Sequence, residues 1–324
     1  MVRSESPLRI VFFGTPDFAV PTLEALVASR HPVVGVVTQP DRPKGRGQRS
    51  QSSPVKQVAL HRGVSIFEPV RLRDEAFLHD LRNLGADLGV VAAYGKILTE
   101  TVLAIPRLGL LNVHASLLPR YRGAAPVHRA IMAGERETGV TIMRVVKALD
   151  AGPMLSSIRR PISESETSAD VERDLSQLGA SALVDAIEKL AEGRIEEQAQ
   201  DDSRATYADK LVKEDGIVDW QRSARDIHNQ IRGLHPWPHA YADLEGERTI
   251  LLRSAVDDQS ISPVAPAGTV LEAHGDCLRV QTGDGTLRLL ELQRAGRSPV
   301  SARAFLAGRP LQPGVRFSSP QARS

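Results

Sequence analysis

Asn112 and His114 stand two residues apart in Leu111-Asn-Val-His-Ala-Ser-Leu-Leu-Pro-Arg120, at the end of a short apolar run. In a β-strand that spacing puts both side chains on one face. A neutral amide that donates hydrogen bonds can stabilise charge growing on a carbonyl oxygen, and an imidazole moves protons near neutral pH. Side by side they suit acyl transfer. A histidine at a strand end is more often structural, so the pair alone leaves both readings open. Asp150, in the turn Leu149-Asp-Ala-Gly-Pro153, adds weight to the catalytic one, because a carboxylate beside the pair can orient the imidazole. An aspartate that merely closes an Asx-turn is the plainer alternative. No nucleophile accompanies the trio: Ser116 has no evident base, and the single cysteine, Cys277, lies far along the chain. A covalent intermediate is therefore not expected. With one cysteine and no HExxH among nine histidines, no metal site is expected either.

The surrounding pattern says what positions these groups. Leu8–Phe13 is a continuous apolar run that stops at Gly14, as a parallel strand buried on both faces does. Asp17 is placed to cap the following helix, with Pro21 in or near its first turn. Strands at 33–38, 64–67, 87–92, 110–114 and 140–145 alternate with helices near 54–61, 75–84 and 125–133. This alternation predicts an α/β fold with an open, mostly parallel, Rossmann-like sheet. Such sheets bind ligands at the carboxyl ends of their strands, where Asn112 and His114 fall. Gly14-Thr-Pro-Asp17 follows the first strand but lacks the further glycines of a dinucleotide-binding turn, which disfavours a nicotinamide enzyme.

A long helix is expected over 169–192, then a polar stretch. We expect a catalytic domain over 1–195, a linker over 196–208, and a smaller β-rich, barrel-like domain over 209–324. Trp220 and Trp237 are expected in the core of that second domain. At 324 residues, 41% hydrophobic and 25% charged, the chain has the composition of a globular protein with two cores, not a disordered one. Apolar runs such as Leu88–Tyr94 are far shorter than the roughly 20 residues that cross a bilayer. No secretory signal pattern opens the chain, and one cysteine fits a reducing compartment, so a cytoplasmic location is expected.

The net charge is only +2, yet the basic residues are unevenly placed. Gln39–Pro54 holds Arg42, Lys44, Arg46 and Arg49 against one acid, with no large apolar side chain. A loop of that length and composition reads either as a solvated insertion or as a segment that meets phosphates. Leu292–Ser324 carries six arginines and no acid, and reads as a second polyanion-facing stretch, with a basic tail an alternative for Phe317–Ser324.

Taken in order, Gly14-Thr-Pro-Asp-Phe18, Gln39-Pro-Asp-Arg-Pro43, Asn112–Arg120, Arg122-Gly-Ala-Ala-Pro126, Glu137–Ile142, Leu149–Gly152, Lys210-Leu-Val-Lys213, Asp219-Trp220 and Pro236-Trp-Pro238 resemble the methionyl-tRNA formyltransferase family over nearly the whole chain. The resemblance implies formyl transfer from 10-formyltetrahydrofolate, as co-substrate, to the α-amino group of methionyl-initiator tRNA in translation initiation. It implies Asn112, His114 and Asp150 as the catalytic trio. Ser116, Leu117, Leu118 and Pro119, with Tyr94 and Gly95, would line the folate site. Arg42, Lys44, Arg46 and Arg49 would meet the tRNA acceptor stem. A monomer without metal or membrane contact is the expectation. A related transferase or hydrolase acting on a small amine shares the trio but has no need of the basic loop, and a non-catalytic RNA-binding module has no need of the trio.

Overall fold

The computed structural model describes residues 6–44, 49–257 and 265–319. In chain order the first elements are β1 (Ile10–Gly14), α1 (Val20–Ala28), β2 (Val33–Val37), β3 (Arg42–Lys44), β4 (Arg49–Gln51), α2 (Pro54–Arg62), β5 (Ile66–Phe67), α3 (Glu75–Asn83), β6 (Leu88–Ala92) and α4 (Glu100–Leu103). They continue with β7 (Leu110–His114), β8 (Arg122–Gly123), α5 (Pro126–Met132), β9 (Glu137–Arg144), β10 (Met154–Pro161), α6 (Ser168–Ala191) and β11 (Tyr207–Ala208). The remainder is α7 (Ala224–Gly233), β12 (Ala240–Leu244), β13 (Glu247–Asp257), β14 (Val270–His274), β15 (Cys277–Gln281), β16 (Thr286–Arg294), β17 (Val300–Ser301), α8 (Ala302–Gly308) and β18 (Phe317–Ser318).

By contact the chain divides into two units. One comprises Met1–Pro126, Thr138–Arg160 and Glu172–Ala208; the other comprises Val127–Glu137, Pro161–Val171 and Asp209–Ser324. The first is built on a seven-stranded sheet of order β10-β9-β7-β6-β1-β2-β5. Strands β7, β6, β1, β2 and β5 run parallel, and β9 joins β7 antiparallel. An antiparallel edge on a parallel sheet is common in such folds. The apolar run of β1 is explained by burial on both sides. Ile10 and Phe12 pack with α1, α2 and α6 (Leu23, Leu26, Val55, Ala59, Leu183, Ile187), while Val11 and Phe13 pack with Phe77, Leu78 and Leu81 of α3. Each such side chain contributes about 1.5–3 kcal/mol when fully buried. Helix starts follow the local signals: Ser53 accepts from Lys56 N ahead of α2, and Asp74 accepts from Ala76 N ahead of α3. Asp17 departs from its expected role. It opens a 3₁₀ turn, Asp17–Ala19, and α1 begins only at Val20 without a side-chain cap.

The second unit is an antiparallel sheet of order β14-β15-β16-β13-β12-β18, with β17 beside β16. The two ends of this path meet. Val270 N donates to Val315 O at 2.8 Å, Gly314 N to Val270 O at 2.9 Å, and Phe317 N to Gly268 O at 2.8 Å, which curls the sheet into a barrel. Its interior holds Leu251, Leu278, Val280, Leu287, Leu289 and Leu292, covered by Ile227 and Ile231 of α7 and Phe305 of α8. Trp220 is buried there against Phe317, ring centroids 5.4 Å apart. Trp237 is not a core residue: it is 48% exposed, in the turn that follows α7, where no strand or helix aims it inward. Among the described residues no helix is long and apolar enough to cross a membrane.

The fold lowers the proton affinity of three histidines of this unit. Burial, with help from Arg129, pushes His128 down to about 4; burial also lowers His228, and lowers His239 with His235 beside it. His228 shows the geometry. Its Nε2 faces the Glu164 carbonyl at 2.9 Å, which only accepts, so Nε2–H donates and Nδ1 accepts from the Ser254 hydroxyl at 3.0 Å. An unfolded histidine binds its proton near 6.5. As pH falls from there toward about 4, the unfolded chain takes up protons that the folded unit refuses, and stability is lost. Thermal melting followed by tryptophan fluorescence, both tryptophans lying in this unit, is therefore expected at a lower temperature at pH 5 than at pH 7, with His128→Gln narrowing the gap. Equal midpoints at the two pH values would refute it.

Candidate active site

Strand β7 carries the site. Leu111 and Val113 point into the core shared with α6, and Leu110 into the core on the opposite face. By the two-residue period Asn112 and His114 share the Leu110 face and come last, at the carboxyl end of the strand. His114 is 5% exposed, whereas Asn112 is half-buried. Among the described residues the Asn112 amide has no hydrogen-bond partner, so its N–H groups are open to a reactant.

His114 is bracketed on both nitrogens. Nε2 lies 3.0 Å from the Tyr121 carbonyl, and Nδ1 lies 3.7 Å from Asp150 Oδ2. A carbonyl only accepts, so in the neutral ring Nε2 bears the hydrogen and Nδ1 is turned to the carboxylate. The 3.7 Å separation exceeds a direct hydrogen bond. Asp150 is fixed independently: Oδ2 accepts from Gly123 N at 2.9 Å. Both bracketing residues have left-handed backbones, φ +59° at Tyr121 and +46° at Asp150. Such conformations cost non-glycine residues roughly 1–3 kcal/mol and cluster at functional sites. The structure thus brings Asn112, His114 and Asp150 to one sheet edge.

The turn after β7 is tightly bonded. Ser116 Oγ donates to Arg120 O at 2.6 Å, Thr141 Oγ1 donates to Ser116 O at 2.7 Å, and Leu118 N donates to Thr141 Oγ1 at 3.2 Å. Ser116 is fully buried, Leu118 nearly so, and Leu117 and Pro119 are half-buried. Tyr94 turns its ring into the core against Phe13, with centroids 5.7 Å apart, and desolvation pushes its phenol up to about 12. Only the Tyr94 backbone reaches the sheet edge, where its carbonyl accepts from Thr15 Oγ1 at 3.1 Å and Gln39 Nε2 at 2.9 Å. Gly95 follows, exposed, with φ +81°. These bonds join the turns after β1, β2 and β6. Between β1 and β6 the order of the sheet reverses direction, which is where doubly wound folds bind ligands.

The basic segment 39–54, read as an open loop, contains a short antiparallel hairpin of β3 and β4. Arg42, Lys44 and Arg49 are described there by backbone alone, and Arg46 lies outside the described residues. At the base of the hairpin Lys56 joins Asp41 and Glu68, each at 2.8 Å. In the second unit the acid-free stretch is less available than its composition suggests. Arg294 and Arg309 both bind Glu247, Arg309 also binds Glu245, and Arg316 Nε donates to Ala267 O. Arg297 and Arg303 are exposed.

Sequence reasoning missed Gln200, Arg122 and Thr206 as neighbours of the site. Gln200 Nε2 donates to Asp150 O at 2.8 Å and Gly152 O at 2.7 Å. Tyr121 N donates to Thr206 Oγ1 at 2.9 Å. These partners are 50 and 85 residues apart in the chain, beyond any periodicity.

An amide, an imidazole and a carboxylate thus stand together at the sheet edge. A family profile described as formyl transferase matches residues 8–187, and one described as formyl transferase, C-terminal domain, matches residues 210–310. A methionyl-tRNA formyltransferase from Pelobacter propionicus is 48% identical over 306 residues, 94% of this chain and 95% of that protein. Another of that name, from Methylobacillus flagellatus, is 46% identical over 313 residues, 96% of this chain and 100% of that protein. The chain belongs to the methionyl-tRNA formyltransferase family. Its fold also matches more distant solved structures. A sugar 3N-formyl transferase crystallised with dTDP and 5-N-formyl-THF is 18% identical, with a TM-score of 0.66 over 90% of this chain and 99% of that one. HypX from Aquifex aeolicus, in complex with tetrahydrofolic acid, is 17% identical, with a TM-score of 0.65 over 98% of this chain and 51% of that one.

The Asp150 turn also depends on Gly152. A Cβ built there would lie 1.9 Å from Arg144 O, a backbone atom that cannot swing aside. Gly152→Ala is expected to destabilise the protein by about 1–3 kcal/mol, read by urea unfolding, and to lower turnover by moving the Asp150 carboxylate. Unchanged stability and turnover would show that the turn absorbs the methyl group.

Proposed function

We propose that the chain transfers the formyl group of 10-formyltetrahydrofolate to the α-amino group of methionyl-initiator tRNA, by direct attack of the amine and with no covalent enzyme intermediate. The observation that carries the reading is the open amide of Asn112 beside a bracketed His114. A neutral donor of this kind fits a formyl oxygen better than a carboxylate or an ammonium group would. Ser116 is buried with its hydroxyl bonded to Arg120 O, and Cys277 lies in the other unit, which supports direct transfer.

The balance of the step is simple. The amine nitrogen forms a bond to the formyl carbon, the bond from that carbon to N10 of the folate breaks, and one proton passes from the amine to N10. A free α-amino group has a pKa of about 7.7–8.0, so a usable neutral fraction exists at pH 7. Asn112 donates to the oxygen as negative charge develops. His114 assists electrophilically or carries the proton, and Asp150 orients His114 and manages that proton. Ser116 to Pro119 and the backbone of Tyr94–Gly95 form walls of the folate site, with the Tyr94 ring itself supporting the turn from inside. Arg42, Lys44, Arg46 and Arg49 meet tRNA phosphates, and the unit from residue 209 onward extends the tRNA surface. We place the reaction in the cytoplasm, carried out by a monomer without metal.

Losing one such donor costs roughly 2.7–4 kcal/mol of barrier. Asn112→Ala is accordingly expected to lower turnover at least a hundredfold while tRNA still binds, in an assay for a formyl-blocked amino terminus on charged initiator tRNA. Near-normal turnover would remove Asn112 from the mechanism. Neutralising the four basic residues is expected to weaken tRNA binding and flatten its dependence on salt, leaving folate binding intact. An unchanged salt slope would mean that the segment does not touch phosphates.

A further inference from the structure

The stretch 198–208 is fastened to both residues that bracket His114. On the Nε2 side, Tyr121 N donates to Thr206 Oγ1 at 2.9 Å, and Arg122 N donates to Thr206 O at 2.8 Å. On the Nδ1 side, Gln200 Nε2 donates to Asp150 O and Gly152 O. Strand β11 pairs with β8, whose Gly123 supplies the N–H that holds the Asp150 carboxylate. That pairing is close: a Cβ on Gly123, φ +121°, would stand 2.7 Å from Ala208 O.

Gln200 is locked in one orientation. Its Oε1 accepts from Arg122 Nε at 3.0 Å and Nη2 at 2.8 Å, and a guanidinium only donates. The amide nitrogen must then be the end that faces the two carbonyls. Arg122 is 4% exposed, and its Nη2 also donates to Asp202 at 2.6 Å. A chain of directed bonds therefore runs from Asp202 through Arg122 and Gln200 to the backbone at Asp150. Left-handed backbone at a non-glycine residue persists only where surrounding contacts over-determine it. Here one short strap does so for Tyr121 and Asp150 together.

We propose that Gln200 is a positioning residue for the transfer reaction: by gripping the Asp150 and Gly152 carbonyls it sets the Asp150 carboxylate against His114. Being an inference about how the trio is held, it rests on the formyl-transfer reading. The two N–H groups are the active part of the side chain. Gln200→Glu keeps the shape and the bonds from Arg122 but turns an acceptor toward two carbonyls; Gln200→Met keeps the length and removes both bonds.

The test compares the full-length wild type with both variants, using 10-formyltetrahydrofolate and charged methionyl-initiator tRNA. Both are expected to lose at least tenfold in kcat, with KM for each substrate within about twofold, and in the Asp150→Asn background Gln200→Met is expected to add less than a twofold loss. In parallel, ¹⁵N spectra of the His114 imidazole, which report the tautomer, are expected to change in both variants. Wild-type kcat in the variants, a full further tenfold loss on top of Asp150→Asn, or unchanged His114 spectra would overturn the proposal. A wild type that forms no formyl-methionyl-tRNA would instead overturn the functional reading, and the spectra, which need no turnover, would still decide the role of Gln200.

Discussion

A backbone carbonyl accepts hydrogen bonds and never donates them, and the contact of Tyr121 O with His114 Nε2 turns that rule into a constraint on the whole site. With one ring nitrogen committed to a carbonyl, the other must face Asp150, and the ring cannot flip without losing its partner. Asn112, one strand step earlier on the same face, has an amide with no hydrogen-bond partner among the described residues. None of this works unless Tyr121 and Asp150 hold backbone conformations that their own side chains disfavour. The sheet supplies the rigid half of the arrangement, since β7 is packed on both faces. The connections after β7 and β9 supply the strained half.

The rigid half was legible in the amino-acid sequence, and the strained half only in part. Apolar runs of five or six residues between helical patterns are enough to place β1, β6 and β7. The period of two then puts Asn112 and His114 together at a strand end. Asp150 was legible as a turn residue that could stand beside His114, with an Asx-turn as the alternative; the proximity itself depends on how β9 runs back beside β7. Gln200 had no signal at all. It sits in a polar stretch that reads as a linker, and its partners are backbone carbonyls, which leave no mark in side-chain patterning. Trp237 failed for the opposite reason: a large aromatic residue suggests a core, but a turn does not aim its side chains inward.

Composition misleads about charge in a similar way. A stretch with six arginines and no acid looks like a bare cationic ribbon. Folding brings Glu245 and Glu247, from the turn joining β12 to β13, against Arg294 and Arg309. Two of the six arginines are thereby paired with acids that are distant in sequence. Among the described residues of the stretch, Arg297, Arg303 and Arg316 are exposed.

The barrel of the second unit is sealed by bonds between residues 268–270 and 314–317, with Phe317 as its plug against Trp220. During synthesis, β12 to β16 can pair as they leave the ribosome, but the seam stays open until the segment around 317 has emerged. A nascent chain at that stage presents a half-formed sheet with an apolar lining. The closure joins segments nearly fifty residues apart, a long-range contact of the kind that forms late and slows folding.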